Sequence, residues 1–94
     1  MEDLGLLIGD DDRAASDSNT FERLNPVTGQ MATRAAAATL EDARMACDAA
    51  ARAFPDWAAT TPGERRRILL SAADTLQSRA DDFARSMADE IGAT

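Results

Sequence analysis

Apolar residues near the start of the chain occur in short stretches broken by turn-forming residues, a pattern that predicts strands. Leu4–Ile8 is a brief, largely apolar run. It is followed by Gly9 and by Asp10–Asp12, whose like charges repel one another and favour an exposed turn. A first strand is therefore expected over Leu4–Ile8, with a turn over 9–12.

A second pair of candidate strands flanks a stronger turn sequence. Thr20–Leu24 and Met31–Ala37 are separated by Asn-Pro-Val-Thr-Gly at 25–29. Pro26 has the fixed φ that suits the second position of a turn, and Gly29 can adopt a positive φ. The most economical arrangement is a β-hairpin made of these two segments.

From residue 39 the spacing of apolar positions becomes helical. Thr39 is a suitable N-cap, with Glu41 and Asp42 in the first turn, where the helix dipole favours acids. Pro55 should end or kink this helix near Phe54. The apolar positions trace one face of a helix: Ala43, Ala46, Cys47, Ala50, Phe54 and Trp57.

A second helix has the clearest start in the chain. Thr61 suits the N-cap, Pro62 the first helical position, and Glu64 lies three residues after the cap. Gly92 is a natural stop, so one long helix is predicted over 62–91. Its apolar stripe consists of Leu69, Ala72, Ala73, Leu76, Ala80, Phe83, Met87 and Ile91.

These elements expose more apolar surface than they can cover. A lone hairpin is marginal in water, and 94 residues allow only a modest core. The chain also stops at Thr94, just past the expected helix end, as though a further element followed. The sequence thus predicts the front of a larger domain.

Charge and composition exclude several functional classes. The formal net charge of −7, from 17 acidic and 10 basic side chains, argues against nucleic acid or an anionic membrane as a partner. No apolar run approaches the roughly 18 residues of a membrane span, and the start lacks the basic region of a secretory signal. The single cysteine, Cys47, excludes an internal disulfide. A cytoplasmic protein is expected.

Few residues of the chain are candidates for a catalytic role. There is no histidine, which removes the commonest general base, a Ser-His-Asp or Cys-His pair and most zinc sites. The five glycines are too dispersed for a phosphate-binding loop. No catalytic, cofactor-binding or metal-binding residue is assigned.

Four features invite a functional interpretation, and a structural one is preferred for each. Cys47 lies on the apolar helix face beside Asp48, so a small buried residue is favoured over a nucleophile. Arg65–Arg67 is interpreted as a solvated or ion-paired surface rather than a phosphate site. Asp10–Asp12 lacks the ligand spacing of a calcium loop. Trp57 is expected to anchor the end of the first helix rather than to stack on a ligand.

Several segments, taken in order, resemble the opening of the NAD(P)-dependent aldehyde dehydrogenase superfamily. The Asn-Pro-x-Thr-Gly turn within Thr20–Gly29 is the most diagnostic, and Thr39–Ala43 matches the family's Thr-x-Glu-Asp-Ala. Ala53–Trp57, Pro62–Arg66 and the Glu-x-Gly helix exit at Glu90–Gly92 complete the set. Together with residues 92–94, the pattern is most similar to the branch that acts on aromatic aldehydes such as salicylaldehyde or vanillin.

One segment departs from the family's pattern. The family often has a Gly-Glu-Trp-like sequence after the first strand, whereas this chain has Gly-Asp-Asp-Asp at 9–12. The strand pairing expected there is therefore left open.

The resemblance implies an α/β fold in which residues 1–94 are the amino-terminal part of the coenzyme-binding domain, built from short β-hairpins followed by two amphipathic helices. The parent enzyme would oxidise an aldehyde to the acid with NAD or NADP, would associate with the rest of its own chain and form a homo-oligomer. The family's nucleophilic Cys, its Glu base and the coenzyme contacts would all lie beyond position 94. Cys47 does not match the nucleophile motif, so the segment alone is expected to bind no coenzyme and to be inactive.

Some members of the family also bind a structural monovalent cation through backbone near the Asn-Pro turn and an acid near the helix exit. Arg23, Leu24 and Glu90 match those positions. The alternative to the whole interpretation is a free-standing small helical interaction protein without enzymatic activity, whose apolar stripes bind a partner.

Overall fold

The structure, a computed structural model, describes residues 2–93. Met1 and Thr94, the last residue of the 92–94 motif, lie outside the described residues. Five strands precede three helices: β1 Glu2–Leu4, β2 Leu6–Ile8, β3 Asp11–Arg13, β4 Thr20–Leu24, β5 Met31–Ala36, α1 Leu40–Ala59, α2 Pro62–Ser78 and α3 Ala80–Ile91.

The strands form two small sheets. The larger has the order β1-β5-β4, with β1 parallel and β4 antiparallel to the central β5. The smaller is the antiparallel pair of β2 and β3. No helix among the residues described, 2–93, is long and apolar enough to cross a bilayer.

The hairpin expected around the Asn-Pro turn is confirmed. β4 pairs with β5 from Thr20 opposite Ala36 down to the turn. The amide of Asn25 donates to the carbonyl of Gln30 over 2.7 Å, and the Asn25 side chain accepts from the amide of Val27 over 2.8 Å. The turn is therefore closed both by backbone and by the Asn side chain.

The single strand predicted over Leu4–Ile8 is wrong, because Gly5 divides it between the two sheets. A Cβ atom at Gly5 would collide with the Asp12 side chain and lie 2.8 Å from the carbonyl oxygen of Arg13. Only glycine allows the backbone to pass β3 this closely as the chain moves from β1 to β2.

The acidic turn predicted over 9–12 is also shorter than expected. Ile8 and Asp11 are paired, which leaves Gly9 and Asp10 as a two-residue loop with a positive φ of 61° at Gly9. Asp11 and Asp12 belong to β3. Consecutive strand residues project to opposite faces, which separates their charges, and Asp11 pairs with Arg13 over 3.6 Å. The strand pairing left open for this segment is present.

The first helix continues through Pro55 to Ala59, so of the two outcomes predicted for the proline, an end or a kink near Phe54, the end is wrong. Proline removes the helical hydrogen bond to the carbonyl of the residue four positions earlier, yet the helix continues for another turn and ends at its own C-cap, Thr60. The backbone amide and hydroxyl of Thr60 donate to the carbonyl of Trp57 over 3.1 and 2.6 Å. These contacts complete a helix end that lies beyond the proline.

The second predicted helix is two helices, α2 and α3, separated at Arg79. Arg79 has φ −113° and ψ 23°, outside the helical region. Its amide donates to the carbonyl of Leu76 over 3.1 Å, and the hydroxyl of Ser78 donates to the carbonyl of Thr75 over 2.7 Å. Such short-range bonds compete with the regular helical pattern, which apolar spacing alone does not reveal.

Very little of this structure is buried. Among the described residues the buried set is Ala15, Thr33, Ala36 and Asp42. The accessible surface is 7326 Å², whereas a compact monomer of 10.0 kDa would expose about 5,200 Å². The Cα radius of gyration is 16.7 Å, against about 12.4 Å for a compact domain of this length. The expectation that apolar faces remain uncovered is confirmed.

A buried carboxylate ties the start of α1 to the loop before β4. Asp42 accepts from the amides of Thr39 over 2.9 Å and Ser16 over 3.1 Å, while its own amide donates to the Thr39 hydroxyl. The hydroxyls of Ser16 and Thr39 are 2.8 Å apart. Hydrogen bonds from the backbone at Thr39, and then at Ser16, lower the pKa of Asp42 below its ordinary value. We call Ser16, Thr39 and Asp42 the capping cluster.

Replacing Asp42 should therefore weaken α1 in a pH-dependent way. The folded pKa is lowered, so the stabilisation is complete above the unfolded carboxyl pKa of about 3.9 and is lost as pH falls through the folded value. In far-UV circular dichroism at neutral pH, Asp42→Asn should show less helix than the wild type. The two signals should converge in acid.

The matched control is Asp56→Asn, which alters an exposed carboxyl on the same helix. It should leave both the helical signal and its pH dependence unchanged. A difference between Asp42→Asn and the wild type that persists undiminished in acid would contradict the assignment to the ionised carboxylate.

Candidate functional site

The end of α3 contacts the centre of the larger sheet through polar groups. We call this region, formed by Thr33, Glu90 and the backbone around Arg23 and Leu24, the polar corner. The Thr33 hydroxyl of β5 donates to Oε1 of Glu90 over 3.3 Å, and Thr33 is only 5% exposed. Arg23 of β4 pairs directly with Thr33. The structure thus brings together two of the residues that the family resemblance associates with a cation, Arg23 and Glu90, through a threonine that sequence reasoning missed.

Leu24, the third of those residues, lies at an irregularity in the same strand pair. The register between β4 and β5 shifts between Arg23 and Leu24, so that Leu24 faces Met31. A bulge of this kind leaves backbone groups outside the regular ladder. Carbonyl oxygens near Leu24 are therefore candidates for coordination, and the bulge could not be read from the sequence pattern.

Glycine at position 92 lets α3 end against the Asn-Pro turn. Gly92 has φ 71° and donates from its amide to the carbonyl of Ala88 over 3.0 Å, a left-handed helix end. A Cβ atom there would lie 3.3 Å from Cγ of Pro26 and 3.5 Å from Cγ2 of Val27. The motif turn and the motif helix exit, distant in sequence, are neighbours in space.

A shallow groove of about 560 Å³ extends from this corner between β5 and α3. Its cationic side chains are engaged with one carboxylate: Asp82 lies 3.4 Å from Arg79 and 3.6 Å from Arg85. The Arg79 guanidinium also lies 5.9 Å from the centroid of the Phe83 ring. The groove therefore presents mixed charge rather than a positive field for an anion.

The chemistry of the corner favours binding over catalysis. The groups that could coordinate a cation there are the carboxylate of Glu90, the hydroxyl of Thr33 and backbone carbonyl oxygens. These are hard ligands, which suit hard cations. Within residues 2–93 no group of three or more His, Cys, Asp or Glu side chains is arranged for a metal ion. A site here would have to rely on carbonyl oxygens and one carboxylate.

Cys47 is exposed on α1, so the prediction that it packs as a small buried residue is wrong for the described chain. α1 is held at its first turn by the capping cluster and along its side by a small contact with β2. No described element covers the face on which Cys47 lies. The sequence pattern identified an apolar face but could not show which element would cover it.

The basic triplet is largely engaged within the structure, as predicted for an ion-paired surface. Arg67 binds Glu64 through two nitrogens, with 3.1 Å between Nε and Oε2. The hydrogen bond from Arg67, followed by its charge, lowers the pKa of Glu64, and Glu64 in turn raises the pKa of Arg67. Arg66 is exposed. The arrangement does not form a shared phosphate-binding cradle.

Arg65 connects α1 to α2, a role that the sequence analysis missed. It donates from Nη2 to the carbonyls of Ala58 and Thr60 over 3.0 and 3.1 Å, and from Nε to the Thr60 hydroxyl over 2.9 Å. Its guanidinium lies 6.0 Å from the Trp57 ring centroid. Trp57 lies at the end of α1 beside this guanidinium and is 43% exposed, so the packing role expected of it is not confirmed among the described residues.

Known proteins match the chain over nearly its whole length. The family model described as "Aldehyde dehydrogenase family" matches residues 13–94. A vanillin dehydrogenase of Pseudomonas fluorescens is 55% identical over 93 residues, covering 99% of this chain and 19% of that protein. A salicylaldehyde dehydrogenase of Pseudomonas putida is 46% identical over 80 residues, covering 85% of this chain and 17% of that protein.

A solved structure has the same arrangement of elements. The crystal structure of a salicylaldehyde dehydrogenase from Pseudomonas putida G7, complexed with salicylaldehyde, superposes with a TM-score of 0.94 at 41% identity. The match covers 100% of this chain and 19% of that one. The chain therefore spans about a fifth of the length of these relatives and corresponds to the start of their fold.

Replacing Gly92 with alanine should destabilise the protein, whereas the same replacement at Gly63 should not. Gly92→Ala places a Cβ atom in a left-handed conformation and against Pro26, and should destabilise the protein by about 1–2 kcal/mol. Gly63→Ala meets nothing within 4 Å in the first turn of α2, and should be neutral or stabilise by about 0.5 kcal/mol. Urea denaturation followed by circular dichroism distinguishes the two. Equal effects would contradict the role given to Gly92.

Proposed function

This chain belongs to the aldehyde dehydrogenase family, and on that premise we propose that it is the amino-terminal part of an enzyme that oxidises an aromatic aldehyde to the carboxylic acid with NAD(P). The observation that carries the proposal is the 55% identity, over 99% of the chain, to a protein described as a vanillin dehydrogenase. The similarity to a salicylaldehyde dehydrogenase solved with its aldehyde supports the same substrate class.

The described residues are proposed to contribute structure rather than chemistry. Residues 1–94 would form the leading part of the coenzyme-binding domain without contacting the coenzyme. The polar corner, the capping cluster and the Arg65 contacts all bind parts of this segment to one another. The family generally uses NAD(P), and we assign its binding to parts of the enzyme outside this segment. Cytoplasmic location and a homo-oligomeric parent stay predictions.

The alternative, a free-standing helical interaction protein, has only the exposed apolar side chains in its favour. The same exposure is expected of one segment of a larger domain. The family match over residues 13–94 is not expected of an unrelated small helical protein. We therefore retain the enzyme segment as the proposed function.

The polar corner supports a second, more specific part of the proposal. Glu90, the backbone around Arg23 and Leu24, and the Thr33 hydroxyl would together hold a monovalent cation with a structural role. Support comes from the 3.3 Å contact between Thr33 and Glu90 and from the bulge at Leu24. The groups that would bind the ion are all oxygen ligands, which hard cations prefer.

The enzymatic proposal is tested on the longer polypeptide that carries this segment. The purified protein should form reduced nicotinamide when given vanillin or salicylaldehyde with NAD or NADP, and should prefer these substrates to an aliphatic aldehyde such as propanal. The 94-residue chain, assayed at the same concentration, should form none. Turnover by the short chain, or oxidation of propanal but of neither aromatic aldehyde, would overturn the proposal.

The cation proposal is tested by salt-dependent stability of the same longer protein. Adding Na⁺ or K⁺ should raise the unfolding temperature of the wild type, because a ligand that binds only the folded state stabilises it. Glu90→Ala should remove most of this salt dependence, whereas Asp89→Ala, a neighbouring exposed carboxyl, should retain it. An unchanged salt response in Glu90→Ala would count against the site.

A further inference from the structure

α1 and α2 are joined by only two residues, Thr60 and Thr61, and share little packing. Among the described residues, the backbones of the two helices approach each other closely at few points. Rotation about the backbone of the two connecting residues would therefore swing one helix relative to the other with little to resist it. Whatever fixes the angle between the helices has to act at this connection.

Arg65, in the first turn of α2, spans the connection with three hydrogen bonds. Its Nη2 atom donates to the carbonyls of Ala58 and Thr60, and its Nε atom donates to the Thr60 hydroxyl. Arg65 and Thr60 are both half-buried, which strengthens these bonds relative to bonds in open water. One planar guanidinium thus links α2 to the last turn of α1 and to the residue that follows it.

α1 has no cation of its own at its C-terminal end, and Arg65 supplies one. The last turn of α1 contains no basic residue, whereas its first turn carries Glu41 and Asp42. A cation stabilises the C-terminal end of a helix, where carbonyl groups carry partial negative charge, and is unfavourable at the N-terminal end. The charge of Arg65 is therefore misplaced for α2 and well placed for α1. The Trp57 ring, with its centroid 6.0 Å from the guanidinium carbon, adds a second attraction at the same end.

We propose that Arg65 is a positioning residue that clamps α1 and α2 at one angle, so that the two helices move as a rigid unit. A planar fork is needed for this, because the three acceptors have to be held at once. A lysine at this position would keep the charge, but its ammonium is a point charge on a flexible stem. The inference goes beyond the proposed function and does not depend on it, since every group concerned lies within the described residues 57–65.

The angle can be measured as the distance between two spin labels, one on each helix. Cys47 of α1 is exposed and is the chain's single native thiol, and Ser71→Cys adds a nearly isosteric second site at an exposed position of α2. Pulsed electron paramagnetic resonance on the 94-residue chain then gives the distribution of distances. In this background Arg65→Met removes the charge and Arg65→Lys keeps it. Arg66→Met and Arg66→Lys are the matched controls, because Arg66 is the exposed neighbour in the same basic triplet.

With Arg65 in place, the distances should form one narrow distribution. Arg65→Met should broaden it about twofold or more, and Arg65→Lys should broaden it to a smaller extent, because the ammonium cannot hold all three acceptors in a fixed geometry. Far-UV circular dichroism should change little in either variant, since the clamp sets the angle between the helices rather than their helical content. Both Arg66 variants should retain the narrow distribution.

Three results would overturn the inference. A narrow distribution retained in Arg65→Met would mean that the two-residue connection sets the angle without the guanidinium. A broad distribution with Arg65 in place would mean that its hydrogen bonds do not hold the helices. Equal broadening in Arg66→Met would mean that loss of any positive charge in the triplet has the same effect.

Hydrogen exchange in the longer polypeptide that carries this segment gives a second test, which does not depend on the stability of the short chain. The amide of Thr60 donates to the carbonyl of Trp57 beside the clamp. In Arg65→Met the peptide spanning 57–61 should exchange about threefold or more faster, because the helix end then opens more often, whereas Arg66→Met should leave its rate unchanged. Equal rates in Arg65→Met and the unmodified protein would contradict the clamp.

Discussion

Backbone pairing of β5 with a strand on each side is the interaction on which the described fold depends. β5 joins β1 and β4 into one sheet, and it carries two of the few buried side chains, Thr33 and Ala36. Thr33 also receives the end of α3 through Glu90. Arg34, in the middle of the same strand, lies 3.9 Å from Asp3 and 3.8 Å from Glu22. Elements from both ends of the chain therefore contact β5.

The helices are joined to one another and to the rest of the described chain mainly by contacts at their ends rather than by a core. Asp42 fixes the first turn of α1, Arg65 joins α1 to α2, and Glu90 with Gly92 brings α3 back to the hairpin. Hydrogen bonds of this kind fix how one element is oriented against the next, but they bury little apolar area. Burial of apolar area is the larger source of stability. The segment is thus well specified in shape while most of its apolar surface remains exposed. This combination is expected of part of a domain whose core is completed by further chain.

The errors in prediction follow from contacts that the spacing of apolar residues does not show. The break at Arg79 and the end of α1 before Thr60 coincide with hydroxyl donors to carbonyls three residues earlier, at Thr75 and Trp57, which apolar spacing does not reveal. The division of Leu4–Ile8 depends on the close approach of β3 to Gly5. Similarly, the hydrogen bond from Thr33 to Glu90 could not be predicted from the sequence, because it depends on β5 and α3 being neighbours in space. Cys47 was assigned correctly to an apolar face, but exposure depends on which element covers that face.

The sequence by itself determined the local structure and the family. Capping residues at Thr39 and Thr61, the Asn-Pro turn and the helical spacing of apolar residues predicted the hairpin and the starts of α1 and α2, because these signals act within a few residues of one another. The ordered motifs then indicated an aldehyde dehydrogenase. Only the tertiary structure decided that the turn at Pro26 lies against the helix exit at Gly92, and that Leu69 and Leu76 of α2 stay exposed among the residues described. Those facts depend on the path of the chain through space, since a hydrophobic pattern shows that a surface must be covered but not what covers it.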